Sequence, residues 1–180
     1  MIRAGAGTRL PDLRTDRLRM RSLLPGDAGD LARVAGDARV APNIFMATVG
    51  WSEPEALAVI EKDRWRGRLM FRLAIYLPDG TFIGSIGASA EPHIFYFFDP
   101  DHWGRGYARE VVSAFVPAVM DHFDLDWIGA EVFTDNPASG KVLAACGFSR
   151  TGQGMAVSRA RLEPAPVLIY ERRRAGKAAT

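Results

Sequence analysis

An aromatic strand that runs into a glycine turn and then into a long apolar-periodic segment constrains this chain more than any other feature. The stretch reads Ile94-Phe95-Tyr96-Phe97-Phe98, Asp99-Pro100, then Trp103-Gly104-Arg105-Gly106-Tyr107-Ala108. Gly104, Gly106 and Ala108 carry little or no side chain, so a ligand can approach the backbone where the first turn of a helix leaves its N–H groups unpaired. Those donors, with the positive end of the helix dipole, suit a pyrophosphate. A tight strand-to-helix turn of this composition also arises with no ligand at all.

The spacing excludes two familiar nucleotide motifs. A dinucleotide fingerprint requires Gly where this chain has Arg109, and a nucleoside-triphosphate loop requires Gly-Lys-Ser/Thr, which residues 104–109 lack. The other Gly-Lys pair, Gly140-Lys141, is followed by Val142.

With 180 residues, 48% of them hydrophobic and 24% charged, the chain reads as one ordinary globular domain. We expect a flexible N-terminal arm over 1–12, a single domain over 13–172 and a basic, flexible tail over 173–180. A net charge of +2, with Arg172-Arg173-Arg174 and Lys177 at the end, gives no concentrated basic face, which argues against a nucleic-acid partner. The single cysteine, Cys146, cannot pair internally and is read as a buried thiol. His93, His102 and His122 are scattered without metal-ligand spacing, so no metal is expected. No signal-peptide core and no membrane-length apolar run is visible, and a cytoplasmic protein, monomeric or homodimeric, is the expectation.

Periodicity places the elements. Leu18 and Met20 would point inward from an edge-facing first strand, and Asp27 would cap a short helix to about Asp37. Ser52-Glu53-Pro54-Glu55 is a capping box opening a helix whose apolar face would be Leu57, Val59, Ile60 and Trp65. Residues 71–77 and 81–89 read as a hairpin around Pro78-Asp79-Gly80. After the glycine turn, Val111, Val112, Phe115, Val116, Val119, Met120 and Phe123 recur at helical spacing, interrupted by Pro117, which threatens a kink. A strand over 127–133, a short helix over 137–145 ended by Gly147 and a strand over 167–170 complete the order.

A second informative stretch follows the 127–133 strand: Asp135-Asn136-Pro137-Ala138-Ser139-Gly140-Lys141-Val142-Leu143-Ala144-Ala145-Cys146-Gly147-Phe148. Together with the glycine turn, each after a strand and with element order preserved from Leu13-Arg14-Thr15-Asp16-Arg17-Leu18 to Tyr170, it resembles the acetyl-coenzyme-A binding motifs of the GNAT acetyltransferases. The branch it is most similar to is the ribosomal-protein N-acetyltransferase-like, or Rim-type, group.

The resemblance implies an α/β fold with a mixed, mostly antiparallel sheet of about seven strands and about four helices, its fourth and fifth strands splayed around coenzyme A. Carried over, the backbone of Arg105, Gly106, Tyr107 and Ala108, with Trp103 and Gly104 in the same motif, would hold the pyrophosphate. Phe97 and Phe98 would pair with the pantetheine arm, Asn136 would bond that arm, and Ser139 would lie near the sulfur. Three positions depart from the pattern. Trp103 stands where the broad family has Gln or Arg, Phe95 where the branch often has Gly, and Leu143 where many members have a Tyr acid.

Direct acetyl transfer to an amine requires a neutral amine, polarisation of the thioester carbonyl and a proton for the departing thiolate. The polarising N–H is expected at a strand bulge near Phe97, and the proton from Ser139 or a water. The base is left between His93, where the branch often has an acid, and Glu131 on the next strand; either could be merely structural. Tyr96 and Tyr107 read as packing residues. Holding a Lys amine neutral at pH 7 costs roughly 4–5 kcal/mol against about 1–1.4 kcal/mol for an α-amine, so a weak base favours a protein N-terminus or another low-pKa amine. The alternative is a non-catalytic coenzyme-A-binding or sensing domain on the same scaffold.

Overall fold

The computed structural model describes residues 10–174. The described chain forms strands β1 (Asp12–Arg14) and β2 (Arg19–Ser22), helices α1 (Ala28–Ala35) and α2 (Glu53–Lys62), strands β3 (Phe71–Tyr76), β4 (Phe82–Ala88) and β5 (Ile94–Phe98), helix α3 (Tyr107–His122), strand β6 (Trp127–Phe133), helix α4 (Pro137–Ala145), and strands β7 (Ser149–Ala156) and β8 (Ala165–Arg173). The strands form two antiparallel sheets, ordered β1-β2-β3-β4-β5 and β6-β8-β7.

The two sheets touch at one parallel bridge, His93 to Gly129. Gly129 N–H also donates to Pro92 O at 2.7 Å, and beyond this point β5 and β6 diverge. The expected splay is therefore present, but between the fifth and sixth strands, because β1 adds a strand outside β2. For the same reason β2 is not an edge.

Alternation along β3 decides which helices cover which face. Phe71, Leu73 and Ile75 join the core built on α3, whereas Ala74 joins the one built on α1 and α2 with Phe97 and Trp51. Pro117 sits inside α3, which runs through it unbroken. The α2 face differs from expectation. Ala56 and Ile60 are its buried residues, Leu57 is exposed, and Trp65 lies beyond the helix with its ring edge-on to Phe71 at 4.8 Å. The capping box is made as read, Glu55 accepting from Ser52 N–H at 3.1 Å and Ser52 Oγ at 2.6 Å. Asp27 does not cap α1 with its side chain; its carboxylate takes Arg21, Tyr76 Oη and Leu24 N–H instead.

Of the arm expected over 1–12, residues 1–9 lie outside the described residues; Leu10 is buried and Asp12 already belongs to β1. At the other end β8 extends to Arg173, and the tail from 175 onward lies outside the described residues. No helix among the described residues is long and apolar enough to cross a membrane.

Candidate active site

The divergence of β5 and β6 opens a cavity of about 500 Å³, floored by β5 and closed by the loop after α1, the start of α3, β6 and α4. Strand register fixes which backbone groups of β5 face it. Ser89 N–H donates to His93 O and Asp99 N–H to Ile83 O, so the odd-numbered residues of β5 turn their groups to β4. Ile94, Tyr96 and Phe98 turn theirs toward the cleft. The β4–β5 register runs from Gly84–Phe98 to Ala88–Ile94 without a shift. The bulge expected near Phe97 is not there; the irregularity of this sheet lies between Ile75 and Tyr76. The Phe97 N–H is thus directed to β4, and the open groups are those of Tyr96 and Phe98, although Trp103 Nε1 already donates to Phe98 O at 2.9 Å.

At the wide end, Asp99 organises the turn into α3. Its carboxylate accepts from Asp101 N–H at 3.0 Å and from Arg33 of α1 at 2.7 Å. Burial opposes its charge, but these two partners prevail and hold it below the usual carboxylate range. Gly104 and Gly106 then take φ of 74° and 80°, a left-handed conformation that glycine adopts without strain. Glu110 N–H bonds Gly106 O at 3.1 Å, and the N–H groups before it form the open first turn of a 16-residue helix.

A brace from the N-terminal segment holds this turn. Arg17 donates to Glu110 Oε2 at 2.7 Å and to Arg105 O at 3.1 Å, and its guanidinium lies 4.8 Å from the centre of the Tyr107 ring. Thr15 Oγ1 donates to Glu110 at 2.5 Å. In the sequence, Thr15 and Arg17 served only to mark where the resemblance begins. His102 was also passed over, yet it lines the cavity with Nδ1 buried and unpartnered among the described residues.

At the narrow end, Asn136 Oδ1 accepts from Ser139 N–H at 3.3 Å, capping α4 and leaving its amide N–H₂ for another partner. Ser139 Oγ meets Tyr96 Oη across the cleft at 2.8 Å. Burial pushes the Tyr96 hydroxyl well above an ordinary tyrosine, with the Ser139 hydrogen bond opposing, so the phenol keeps its proton. Tyr96, read from the sequence as packing, is thus coupled to the predicted acid. Leu143 is fully buried and supplies no hydroxyl.

Phe97, Phe98, Trp103, Gly104, Gly106, Tyr107 and Ala108 all line the cavity, as do Asn136, Ser139 and Glu131. Arg105 and His93 do not. The His93 ring packs on Gly129, where a Cβ would come within 2.6 Å of it, and edge-on to Trp127 at 5.6 Å, so its place is at the seam of the two sheets. Cys146 is buried, 3.4 Å from Ser113 Oγ. No cluster of three or more His, Cys, Asp or Glu among the described residues is placed to hold a metal.

An aromatic strand splayed from its neighbour, with the open first turn of a long helix at its end, is the cofactor cleft of one acyl-transfer fold. The family model of the acetyltransferase (GNAT) domain matches residues 17–149, and the chain belongs to that family. The uncharacterized N-acetyltransferase YoaA of Bacillus subtilis is 43% identical over 76 residues, covering 39% of this chain and 43% of that protein, less than half of the relative's length. Among solved structures, a putative ribosomal-protein-serine acetyltransferase from Vibrio cholerae superposes with a TM-score of 0.75 at 15% identity, over 91% of this chain and 97% of that one. Spermidine N-acetyltransferase from Vibrio cholerae, in complex with CoA and spermine, gives 0.72 at 16% identity over 87% and 95%. At these identities the likeness is one of fold.

Proposed function

We propose that this protein transfers the acetyl group of acetyl-CoA to a primary amine, a protein N-terminal α-amine or a small amine, by direct attack within a ternary complex. The observation that carries this reading is the convergence on one cavity of the α3 turn, the unpaired edge of β5, the Asn136 amide, the Ser139–Tyr96 pair and Glu131. The first turn of α3 would take the pyrophosphate, with the Arg17–Glu110 pair bracing it from behind, and the β5 edge and Asn136 would take the pantetheine arm. The neutral amine attacks the thioester carbon while a cleft-facing N–H of β5 receives the developing oxyanion. As the C–S bond breaks, the thiolate takes a proton from Ser139, and Ser139, held by its hydrogen bond to the still-protonated Tyr96 hydroxyl, regains a proton from water. The proton lost by the amine goes to Glu131, directly or through water. Placement favours Glu131 over His93 as that base, since only Glu131 borders the cavity.

Leu143, in the place of the usual acid, supports a second reading: a domain that binds coenzyme A without turnover. Calorimetric titration with acetyl-CoA, with NAD and ATP as controls, tests the shared step. Amine-dependent release of the thiol separates the two readings. Binding without it leaves only the non-catalytic domain, and no binding by folded protein removes both.

A further inference from the structure

Three residues cross the sheet in one row on the cavity side: Arg72 on β3, Gly87 on β4 and Phe95 on β5. Phe95 stands where the Rim-type branch often has Gly, and the row explains how the larger ring is accommodated. A Cβ at Gly87 would lie 2.4 Å from both the Phe95 ring and Phe71 O, so the glycine leaves room for the neighbouring strand and for the ring lying across β4. The ring reaches the guanidinium of Arg72, whose carbon sits 4.3 Å from the ring centre.

Arg72 is 5% exposed and borders the cavity. Its Nε donates to Asp63 at 3.2 Å, and its backbone N–H donates to Asp63 O at 2.9 Å, tying the end of α2 to β3. That role uses one N–H of the side chain. The two terminal amino groups donate to no group among the described residues, although a buried arginine next to a carboxylate normally presents a two-pronged fork. Burial pulls the Arg72 pKa down and the Asp63 charge opposes it. Arg39, also on the cavity wall, is by contrast occupied twice over by Asp37, at 3.0 and 2.8 Å, and largely exposed. Among the described residues the lining holds three arginines, Arg39, Arg72 and Arg109, and a single carboxylate, Glu131. Arg39 is taken by Asp37 and Arg109 lies on the α3 turn assigned to the pyrophosphate, which leaves Arg72 as the lining arginine open to an acceptor's negative charge.

Resting on the acetyl-transfer reading above, we propose that the acceptor is an amine bearing a carboxylate, an amino-acid-like molecule, and that Arg72 is the residue that recognises it. The terminal amino groups of Arg72 take the carboxylate oxygens, Phe95 holds the guanidinium in plane, and Glu131 on the opposite wall faces the amine. Two terminal amino groups held in one plane meet both oxygens of a carboxylate at once, which an amide or a bare amine cannot match.

The test uses the full chain, acetyl-CoA and a panel of α-amino acids, each compared with its amide and its decarboxylated amine, read as thiol release. Wild type should turn over at least one amino acid with kcat/KM tenfold or more above both partners, although amidation lowers the amine pKa and so favours the amide. Arg72→Met should remove that preference, raising KM for the amino acid 30- to 100-fold, while turnover of the amide and calorimetric acetyl-CoA affinity change less than threefold. Because Arg72→Met strands Asp63, Phe95→Leu serves as a second variant: it leaves Arg72 and Asp63 in place, removes the ring from the guanidinium and should weaken the preference several-fold. The wild-type comparison stands even where a variant does not fold. Amine-dependent thiol release with no preference for the carboxylate, or an equal loss on all partners in Arg72→Met, overturns this inference and leaves acetyl transfer intact. Absence of acetyl-CoA binding overturns both.

Discussion

Adding a methyl group at Gly106 separates a ligand-binding turn from a merely tight one. At a φ of 80°, alanine there incurs the left-handed penalty of roughly 1–2 kcal/mol. Sterically the protein barely opposes it, since the nearest atom to the new Cβ is Arg17 Nη2 at 3.6 Å, an ordinary contact. For a domain of this size each kcal/mol is worth roughly 2–4 °C, so Gly106→Ala should melt about 2–8 °C below wild type. The matched control is Gly67→Ala, with a φ of 71°, no atom within 4 Å of the new Cβ and a place outside the cavity lining. It should cost the same stability.

Their affinities for acetyl-CoA should differ. The open N–H groups around Gly106 are useful only while the turn keeps its left-handed geometry, and alanine, strained at that φ, shifts the backbone that aims them at a phosphate. Loss of one charge-assisted hydrogen bond is worth about 1.5–3 kcal/mol, which converts to roughly 10- to 150-fold in Kd. Calorimetric titration of wild type and both variants reads this directly, with melting measured on the same samples. If Gly106→Ala and Gly67→Ala bind acetyl-CoA equally well, the α3 turn is not the phosphate site and the reasoning from its open helix terminus is refuted.

Ser139→Ala should lower kcat by roughly 100-fold or more with little change in acetyl-CoA affinity, as expected for loss of a general acid. Tyr96→Phe should lower it less, and the double variant should be no slower than Ser139→Ala, because the Tyr96 hydroxyl acts only through Ser139; additive losses in single-turnover rates would exclude that coupling. Asp27 is held below its ordinary pKa because hydrogen bonds from Arg21, Tyr76 and Leu24 N–H outweigh the burial that opposes its charge. Its contribution to stability is therefore complete above about pH 4 and lost as the pH falls through the lowered folded-state value, so Asp27→Asn should show a shallower loss of urea stability on acidification. An unchanged slope would sink that assignment. Pro117→Ala should stabilise the unbroken α3 by about 1–3 kcal/mol by restoring a donor toward Ser113 O, and a lower melting temperature would show that the ring's packing outweighs the missing bond.

The turn into α3 was legible in the sequence because backbone geometry dictates it. A left-handed turn at a helix start calls for small residues at fixed spacing, and Gly104 and Gly106 take positive φ there. The helix period of α3 and the turn at 78–80 were legible for the same local reason. What was missed depends on residues far apart in the chain. Arg17 reaches Arg105 and Glu110 across 88 and 93 positions, and Tyr96 reaches Ser139 across 43. The strand β7 was missed because its Ser-Arg-Thr-Gly-Gln-Gly run has no apolar alternation; pairing with β8 makes it a strand.

The acceptor end is illegible for a deeper version of that reason. Its wall joins the loop after α1 to the loop after β7. Ser158 Oγ donates to Ile44 O at 2.7 Å, and Arg161 joins Pro42 O at 2.8 Å to Asp135 at 2.9 Å. None of these contacts follows a period or a spacing rule, so specificity can change there without disturbing the motifs that mark the family. Phe95 illustrates how such a change is absorbed. Judged from the strand alone, replacing glycine by phenylalanine narrows the cleft; judged with Gly87 and Arg72 in the same row, the ring fills space that the neighbouring glycine leaves and turns a structural arginine toward the cavity. Phe95→Gly should therefore widen the pocket, release the guanidinium and reduce the carboxylate preference while leaving acetyl-CoA affinity within threefold. A variant that keeps the full preference would mean that Asp63 alone positions Arg72.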